Sequence, residues 1–355
     1  MEKLKVAITH GDPNGIGYEV ILKAFADPAM LELCTPIIYG SPKVASYHRK
    51  MMDLDVTFQT IQSPADAHDG ELSLVPCTAE EVKLDIGQAT PEAGQAALAA
   101  LERAMQDWRK GLFDVLVTAP INKSSIQGDG FHFPGHTEYI QDRSGALTGS
   151  ALMILMNDRI RVALATSHLP LTKVAQAITQ ESILQKLHIF DATLRRDFGI
   201  SMPRIAVLAL NPHAGDEGLL GKEEQEILRP AMQQATEEGI NTFGPFAADG
   251  FFGTRAYEHF DGVLAMYHDQ GLAPFKLLAM NDGVNYTAGL DIVRTSPDHG
   301  TAYDIAGRGV ADETSLRNAI YTAIDIFRAR QAWDEAHANP LPKLYIDKRD
   351  KSEKG

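Results

Sequence analysis

The chain has 355 residues, 44% hydrophobic and 23% charged, which suits a globular protein with a core large enough for two domains. Its net charge of −14 and pI near 5.3 argue against a nucleic-acid-binding face, although a few cations inside a cleft can still receive a small anion. No apolar run reaches the length of a membrane span, no secretory leader is visible, and the lone pair Cys34 and Cys77 fits a reducing cytoplasm.

Leu4 to His10 reads as a strand, Gly11-Asp-Pro-Asn-Gly-Ile-Gly17 as a tight loop and Tyr18 to Asp27 as a helix. The glycine spacing is G-x-x-x-G-x-G, so the usual dinucleotide fingerprint is absent. Short strands are expected at Pro36 to Gly40, Val56 to Ile61 and Leu72 to Pro76, with a helix from Pro42 to Met52. Pro91 opens a long helix that ends near Lys110, because proline is tolerated at a first helical position. Asp114 to Pro120 is a buried strand with a polar end.

Residues 121 to 149 break the pattern: the stretch is punctuated by glycine and proline and reads as a long functional loop. Strands at Ala151 to Met156 and Ile160 to Ala165 follow, then helices over 171 to 199, a strand over 205 to 210 and a charged helix from Lys222 to Glu238. Phe246 to Asp249 precedes a turn and a short helix. Val263-Leu-Ala-Met-Tyr is another buried strand, leading to His268, Asp269 and Lys276. Val284 to Leu290 and Ile292 to Thr295 are strand-like, Asp298 to Gly307 is a glycine-rich loop, Thr314 to His337 an amphipathic helix, and the charged tail from Asp347 a frayed end. Strands alternating with helices predict an α/β fold with a mainly parallel sheet.

Three apolar runs end in histidine: His168, His213 and His268. Taken singly, each reads as a strand-end residue bonded to backbone. Repeated three times, the pattern points to imidazoles that share one divalent metal and leave a position open for substrate. Asp249 and Asp269 could add oxygen ligands or orient the imidazoles, though either also suits a turn or cap. Lys276, Arg294 and Asn285 could clamp a carboxylate or phosphate, with His136 and Thr137 adding donors; each could equally be an ordinary surface or loop residue.

The motifs Gly11-Asp-Pro-Asn-Gly-Ile-Gly17, Val117-Thr-Ala-Pro-Ile-Asn-Lys123, Phe133-Pro-Gly-His-Thr-Glu138, Thr166-Ser-His168, Leu210-Asn-Pro-His-Ala-Gly215, Tyr267-His-Asp-Gln-Gly271 and Val293-Arg-Thr-Ser-Pro-Asp-His-Gly-Thr-Ala302 occur in order along the chain. Together they resemble the 4-hydroxythreonine-4-phosphate dehydrogenases of pyridoxal phosphate biosynthesis over nearly the whole length. The first and last glycine loops also resemble the wider isocitrate and isopropylmalate dehydrogenase group. The resemblance implies two α/β/α domains with a cleft between them, one from residues 1–130 plus 285–355 on the cofactor side, the other from 131–284 carrying metal, substrate and dimer contacts. It implies His168, His213 and His268 as ligands of one divalent metal (Zn, Mg, Co or Mn), in a site completed across a homodimer interface. His136, Thr137, Lys276, Asn285 and Arg294 become substrate-binding positions. Ile16, His299, Gly300 and Asp304 become cofactor positions for NAD or NADP.

The activity so implied is oxidation of a phosphorylated hydroxy amino acid, 4-phosphohydroxy-L-threonine, followed by decarboxylation, in a cytoplasmic homodimer without nucleic-acid or membrane partners. The proton acceptor is left open between Lys276 and a histidine such as His136. A paralogous dehydrogenase of D-threonate 4-phosphate is the near alternative. A metal-dependent phosphohydrolase and a non-catalytic sugar-phosphate binder are more distant ones.

Overall fold

The computed structural model describes residues 3–78, 82–128, 131–279 and 281–339; the charged tail expected to fray lies outside the described residues. The chain runs β1 (Leu4–Thr9), α1 (Gly17–Ala26), α2 (Ala29–Leu33), β2 (Cys34–Gly40), α3 (Pro42–Met51), β3 (Gln59–Thr60), β4 (Ser73–Pro76), α4 (Pro91–Arg109), β5 (Val115–Thr118) and α5 (His136–Ser144). It continues through β6 (Leu152–Met156), β7 (Arg161–Leu164), α6 (Leu171–Ala177), α7 (Gln180–Arg196), β8 (Arg204–Leu208), α8 (Arg229–Glu237), β9 (Asn241–Phe246) and α9 (Ala248–Gly253). The last elements are β10 (Gly262–Ala265), α10 (His268–Leu278), β11 (Val284–Ala288), β12 (Val293–Pro297) and α11 (Thr314–His337). No helix among the described residues is long and apolar enough to cross a membrane.

Local chemistry sets several of these bounds. Ser41 and Thr90 accept from the Val44 and Ala93 amides, and Pro42 and Pro91 take the first helical position, so α3 and α4 start where the sequence places them. The expected helix over 222–238 instead begins as a π-helical turn at Glu224–Leu228 before α8. Three helices were not legible, the five-residue α2 among them. In α5 only Tyr139 and Ile140 are buried, and adjacent residues give no helical period. In α10, Gly271 and Pro274 both read as breakers. Yet a Cβ on Gly271 would lie 2.8 Å from Val162 Cγ1 and 3.0 Å from Ala265 Cβ, so glycine is what lets α10 lie directly on β7 and β10.

The strands form one sheet in the order β3-β4-β2-β1-β5-β12-β11-β6-β7-β10-β8-β9. The flanks are parallel, as expected. The centre is not: β11 runs antiparallel to β12 and to β6, and β6 antiparallel to β7. The connections explain this. Asn157 accepts from the Arg159 and Ile160 amides in the tight β6–β7 turn, and only antiparallel strands can be joined so briefly.

One face of the sheet carries a continuous core that includes Val6, Val117, Ile154, Ala163, Val207, Leu264, Tyr286 and Val293, packed on α1, α7, α8 and α11. The other face carries two separate cores. One sets Ala7, Ile37 and Leu116 against α4 and α5; the other sets Leu155, Val162, Ala206 and Ala265 against α9 and α10. Between them the side chains of β11 and β12 turn polar, and among the described residues no apolar helix face packs on them.

Candidate active site

Strand alternation builds the floor of this gap. In the antiparallel register Asn285 lies opposite both Leu155 and Ser296, and Thr287 opposite both Met153 and Arg294, so these residues share one face. The sequence patterns Val-Asn-Tyr-Thr-Ala and Val-Arg-Thr-Ser-Pro put valine and tyrosine into the continuous core and the polar partners into the gap. Above this floor is a cavity of about 260 Å³.

Arg294 is 2% exposed. Its Nε donates to Thr118 Oγ1 at 3.0 Å and its Nη1 to Thr287 Oγ1 at 3.0 Å. Among the described residues no carboxylate forms an ion pair with it. Burial pulls the guanidinium down to about 9, against the pull of the Glu138 charge, so it stays cationic at neutral pH. A buried cation costs several kcal/mol unless an anion offsets it.

Helix α5 brings its first turn to the same cavity. His136, Thr137 and Glu138 follow the N-cap Gly135, where the helix dipole favours negative charge. Burial, then the charges of Arg294 and Lys123, push His136 well below the usual histidine value, which leaves a neutral ring whose Nε2 has no partner. Thr137 Oγ1 lies 3.5 Å from Thr287 Oγ1. Asn285 Oδ1 is buried and unpartnered. Lys276, on α10, donates to the Asp298 carbonyl at 3.1 Å and keeps much of its surface open.

His168, after β7, and His268, the first residue of α10, also line the cavity, with ring centroids 6.1 Å apart. Glu138 Oε1 lies 3.4 Å from His168 Nδ1, and Lys123 Nζ lies 3.3 Å from His168 Nε2. Burial pushes the Glu138 carboxyl up, but its bonds to His168 and its own backbone, with the nearby charges of His168 and Lys123, leave it below the ordinary glutamate value. Asp269 accepts from His268 Nδ1 at 2.7 Å.

His213 is not brought into this cavity. It is exposed, in a left-handed run from His213 to Glu217 beyond β8, and Glu224 pins the start of that run by accepting from the Leu210 and Asn211 amides. Among the described residues no three ligand-type side chains stand close enough to hold a metal within one chain. Asp249 is exposed on α9, outside the cavity lining.

A second cavity of about 190 Å³ adjoins the first through Asp298 and His299, and Ile16 lines it. Burial lowers His299, whose Nε2 has no partner. Gly300 lines the larger cavity, whereas Asp304 is exposed and lines neither. The two glycine loops meet here. The Ile16 amide donates to the Thr301 carbonyl at 3.1 Å, and a Cβ on Gly15 would lie 2.7 Å from that carbonyl oxygen.

The structure adds Thr118, Lys123, Glu138 and Thr287 to the residues singled out from sequence. Lys123 and Glu138 close two of the motifs quoted above, and that was the available signal.

The family model described as pyridoxal phosphate biosynthetic protein PdxA matches residues 32–323. A 4-hydroxythreonine-4-phosphate dehydrogenase from Bacteroides thetaiotaomicron is 62% identical over 352 residues, covering 99% of this chain and 96% of that protein. A provisionally named D-threonate 4-phosphate dehydrogenase from Oceanobacillus iheyensis is 38% identical, over 90% of this chain and 97% of that protein. Among solved structures, a 4-hydroxythreonine-4-phosphate dehydrogenase from Klebsiella pneumoniae superimposes with a TM-score of 0.78 at 34% identity, covering 92% of this chain and 98% of that one.

Proposed function

Because the chain belongs to the 4-hydroxythreonine-4-phosphate dehydrogenase family of pyridoxal phosphate biosynthesis, we propose that it oxidises 4-phosphohydroxy-L-threonine to a β-keto acid that decarboxylates to 3-amino-2-oxopropyl phosphate. It uses NAD or NADP and one divalent metal, and works as a cytoplasmic homodimer.

The observation that carries this reading is Arg294: a buried guanidinium held by hydroxyls alone, at the floor of a cavity. It offers an anionic substrate group its charge partner, and Lys276, Asn285, His136 and Thr137 surround the same space. Buried Asn285 Oδ1 and His136 Nε2 still lack partners, which suits a polar ligand.

The donor chemistry fits a borderline divalent ion better than magnesium, since His168 and His268 present imidazoles to one cavity. His213 of a second copy of the chain would complete the set. Exposed Leu169, Leu171, Leu219, Leu220 and Leu277 lie near the three histidines in sequence and suit a surface that a second copy covers. When bound, the metal would supply Lewis acidity toward the substrate hydroxyl and the nicotinamide would supply the hydride acceptor. The proton acceptor is Lys276 or His136; His136 offers a free Nε2, while burial and the charges of Arg294 and Lys123 oppose its protonation. Lys276 and Arg294 fix the two anionic ends of the substrate. The smaller cavity is a cofactor position, with His299 on the adenosine side and Ile16 near the nicotinamide. The proposed division of the chain at 130/131 and 284/285 runs between β11 and β6, which are neighbours in the sheet.

The test is NADH formation from the phosphorylated hydroxythreonine, with and without chelator. Turnover that needs both metal and nicotinamide supports the reading. Phosphate release without nicotinamide would overturn it. A parallel assay with D-threonate 4-phosphate separates the paralogous activity.

A further inference from the structure

We propose that Glu138 is a positioning residue that fixes the tautomer of His168, so that Nε2 presents its lone pair to the metal, and that Lys123 holds that place in the metal-free enzyme. The proposal rests on the metal reading above and goes beyond it.

The two contacts of the His168 ring decide the point together. An ammonium has only N–H groups to offer, so Nε2, at 3.3 Å from Lys123 Nζ, is the acceptor. The ring proton of the neutral imidazole is then on Nδ1, and Nδ1 faces the Glu138 carboxylate at 3.4 Å. A ligating histidine is oriented in this way when its second nitrogen donates to a carboxylate. His268 shows the same arrangement with Asp269, but Asp269 is 87% exposed.

Glu138 is held far more firmly. It lies in the first turn of α5, where the helix dipole favours a carboxylate, and the next two residues, Tyr139 and Ile140, anchor the helix in the core. Its Oε2 is buried with no partner, so the carboxylate has an acceptor to spare. Lys123 arrives from the other side, on the loop after β5, and Asn122 fixes that loop by accepting from the Ser124 and Ser125 amides. The ammonium therefore stands at the lone pair a metal would take. Metal entry displaces it into the substrate cavity, which Lys123 already lines.

Three observations on the purified enzyme test this. Titration with Co²⁺, followed by its visible absorption, should show E138Q binding about 10–100-fold more weakly than the native protein. K123M should bind Co²⁺ more tightly, an inverse effect that a merely structural role for either residue would not produce. Long-range ¹H–¹⁵N spectra of the metal-free native enzyme should show His168 protonated on Nδ1, and E138Q should lose that preference while E138D keeps it. Unchanged thermal unfolding and NADH affinity identify variants that are folded; if E138Q fails this check, E138D against K123M carries the comparison. Native Co²⁺ affinity and an unaltered tautomer in E138Q would overturn the role of Glu138. Weaker Co²⁺ binding by K123M would overturn the place-holding role. If the native enzyme binds no Co²⁺, the metal reading is what fails, and the spectra still decide the tautomer.

Discussion

Tyr303 donates its hydroxyl to Asp12 Oδ2 at 2.7 Å, which ties the loop after β12 to the loop after β1. Asp12 Oδ1 also accepts from the Asn14 amide at 2.9 Å, and Asn14 reaches on to Asp85, Gln88 and Thr90. Burial pushes the Asp12 carboxyl up, against the bonds from Tyr303, Asn14 and Ser125. Tyr303→Phe should therefore lower unfolding stability by about 1–2 kcal/mol, since it leaves a buried carboxylate short of a donor. It should also weaken NADH binding several-fold with little change in kcat. Urea unfolding and fluorescence titration read the two effects.

Arg294→Met separates function from stability. The variant should lose about 3 kcal/mol of substrate binding in the transition state, a factor of roughly 10² in kcat/KM. Because the guanidinium is buried with hydroxyls for partners, its removal should leave the melting temperature unchanged or raised. A large fall in melting temperature would mean that Arg294 serves the fold.

A complementation experiment tests the shared metal site. His168→Ala and His213→Ala should each abolish metal binding and turnover. If His213 serves the neighbouring subunit, a randomised mixture of the two inactive proteins regains about a quarter of native activity, because half the dimers are mixed and each carries one intact site. A mixture that stays inactive would place all three imidazoles in one subunit.

Acid should destabilise the fold through His10. Its ring is fully buried, stacked on Tyr18 at 4.9 Å, with neither nitrogen bonded to another group's side chain, and burial lowers it to about 4. The unfolded chain then binds the proton first. The stabilising contribution is complete above the unfolded value of 6.5 and is lost as pH falls from there through 4, for a total of roughly 3 kcal/mol. Burial also lowers His48, on the far side of Tyr18, so it acts in the same direction. His10→Phe keeps the stack and should flatten the dependence; denaturant unfolding at pH 7 and pH 5 measures it.

The sequence was most informative where a single segment contains its own signal. Helix α11 has the bounds its pattern and flanks predict, and the strands leading to His168 and His268 end within two residues of their apolar runs. Asn285 and Arg294 were singled out as a possible anion clamp and by the family motifs, and the register shows what joins them: both lie on the polar stretch of the face between the two covers. What depends on distant partners was not legible. Gly271 reads as a breaker until Val162 and Ala265 are seen beneath it. The antiparallel centre depends on the pairing of β11 with β6, which no local pattern encodes. His213 shares its sequence pattern with His168, but the left-handed run after Pro212 carries it out of the cavity.

The unequal faces of the sheet have a mechanical consequence. One side is a single bonded spine of apolar side chains running under every central strand, while the opposite side is two separate covers. Such a body cannot part along its spine without exposing the whole layer to water. On that opposite side only β12 and β11 lie between the covers, so a motion that opened the pocket would bend the floor that Arg294 and Asn285 stand on, and opening the door and loosening the grip would be one movement.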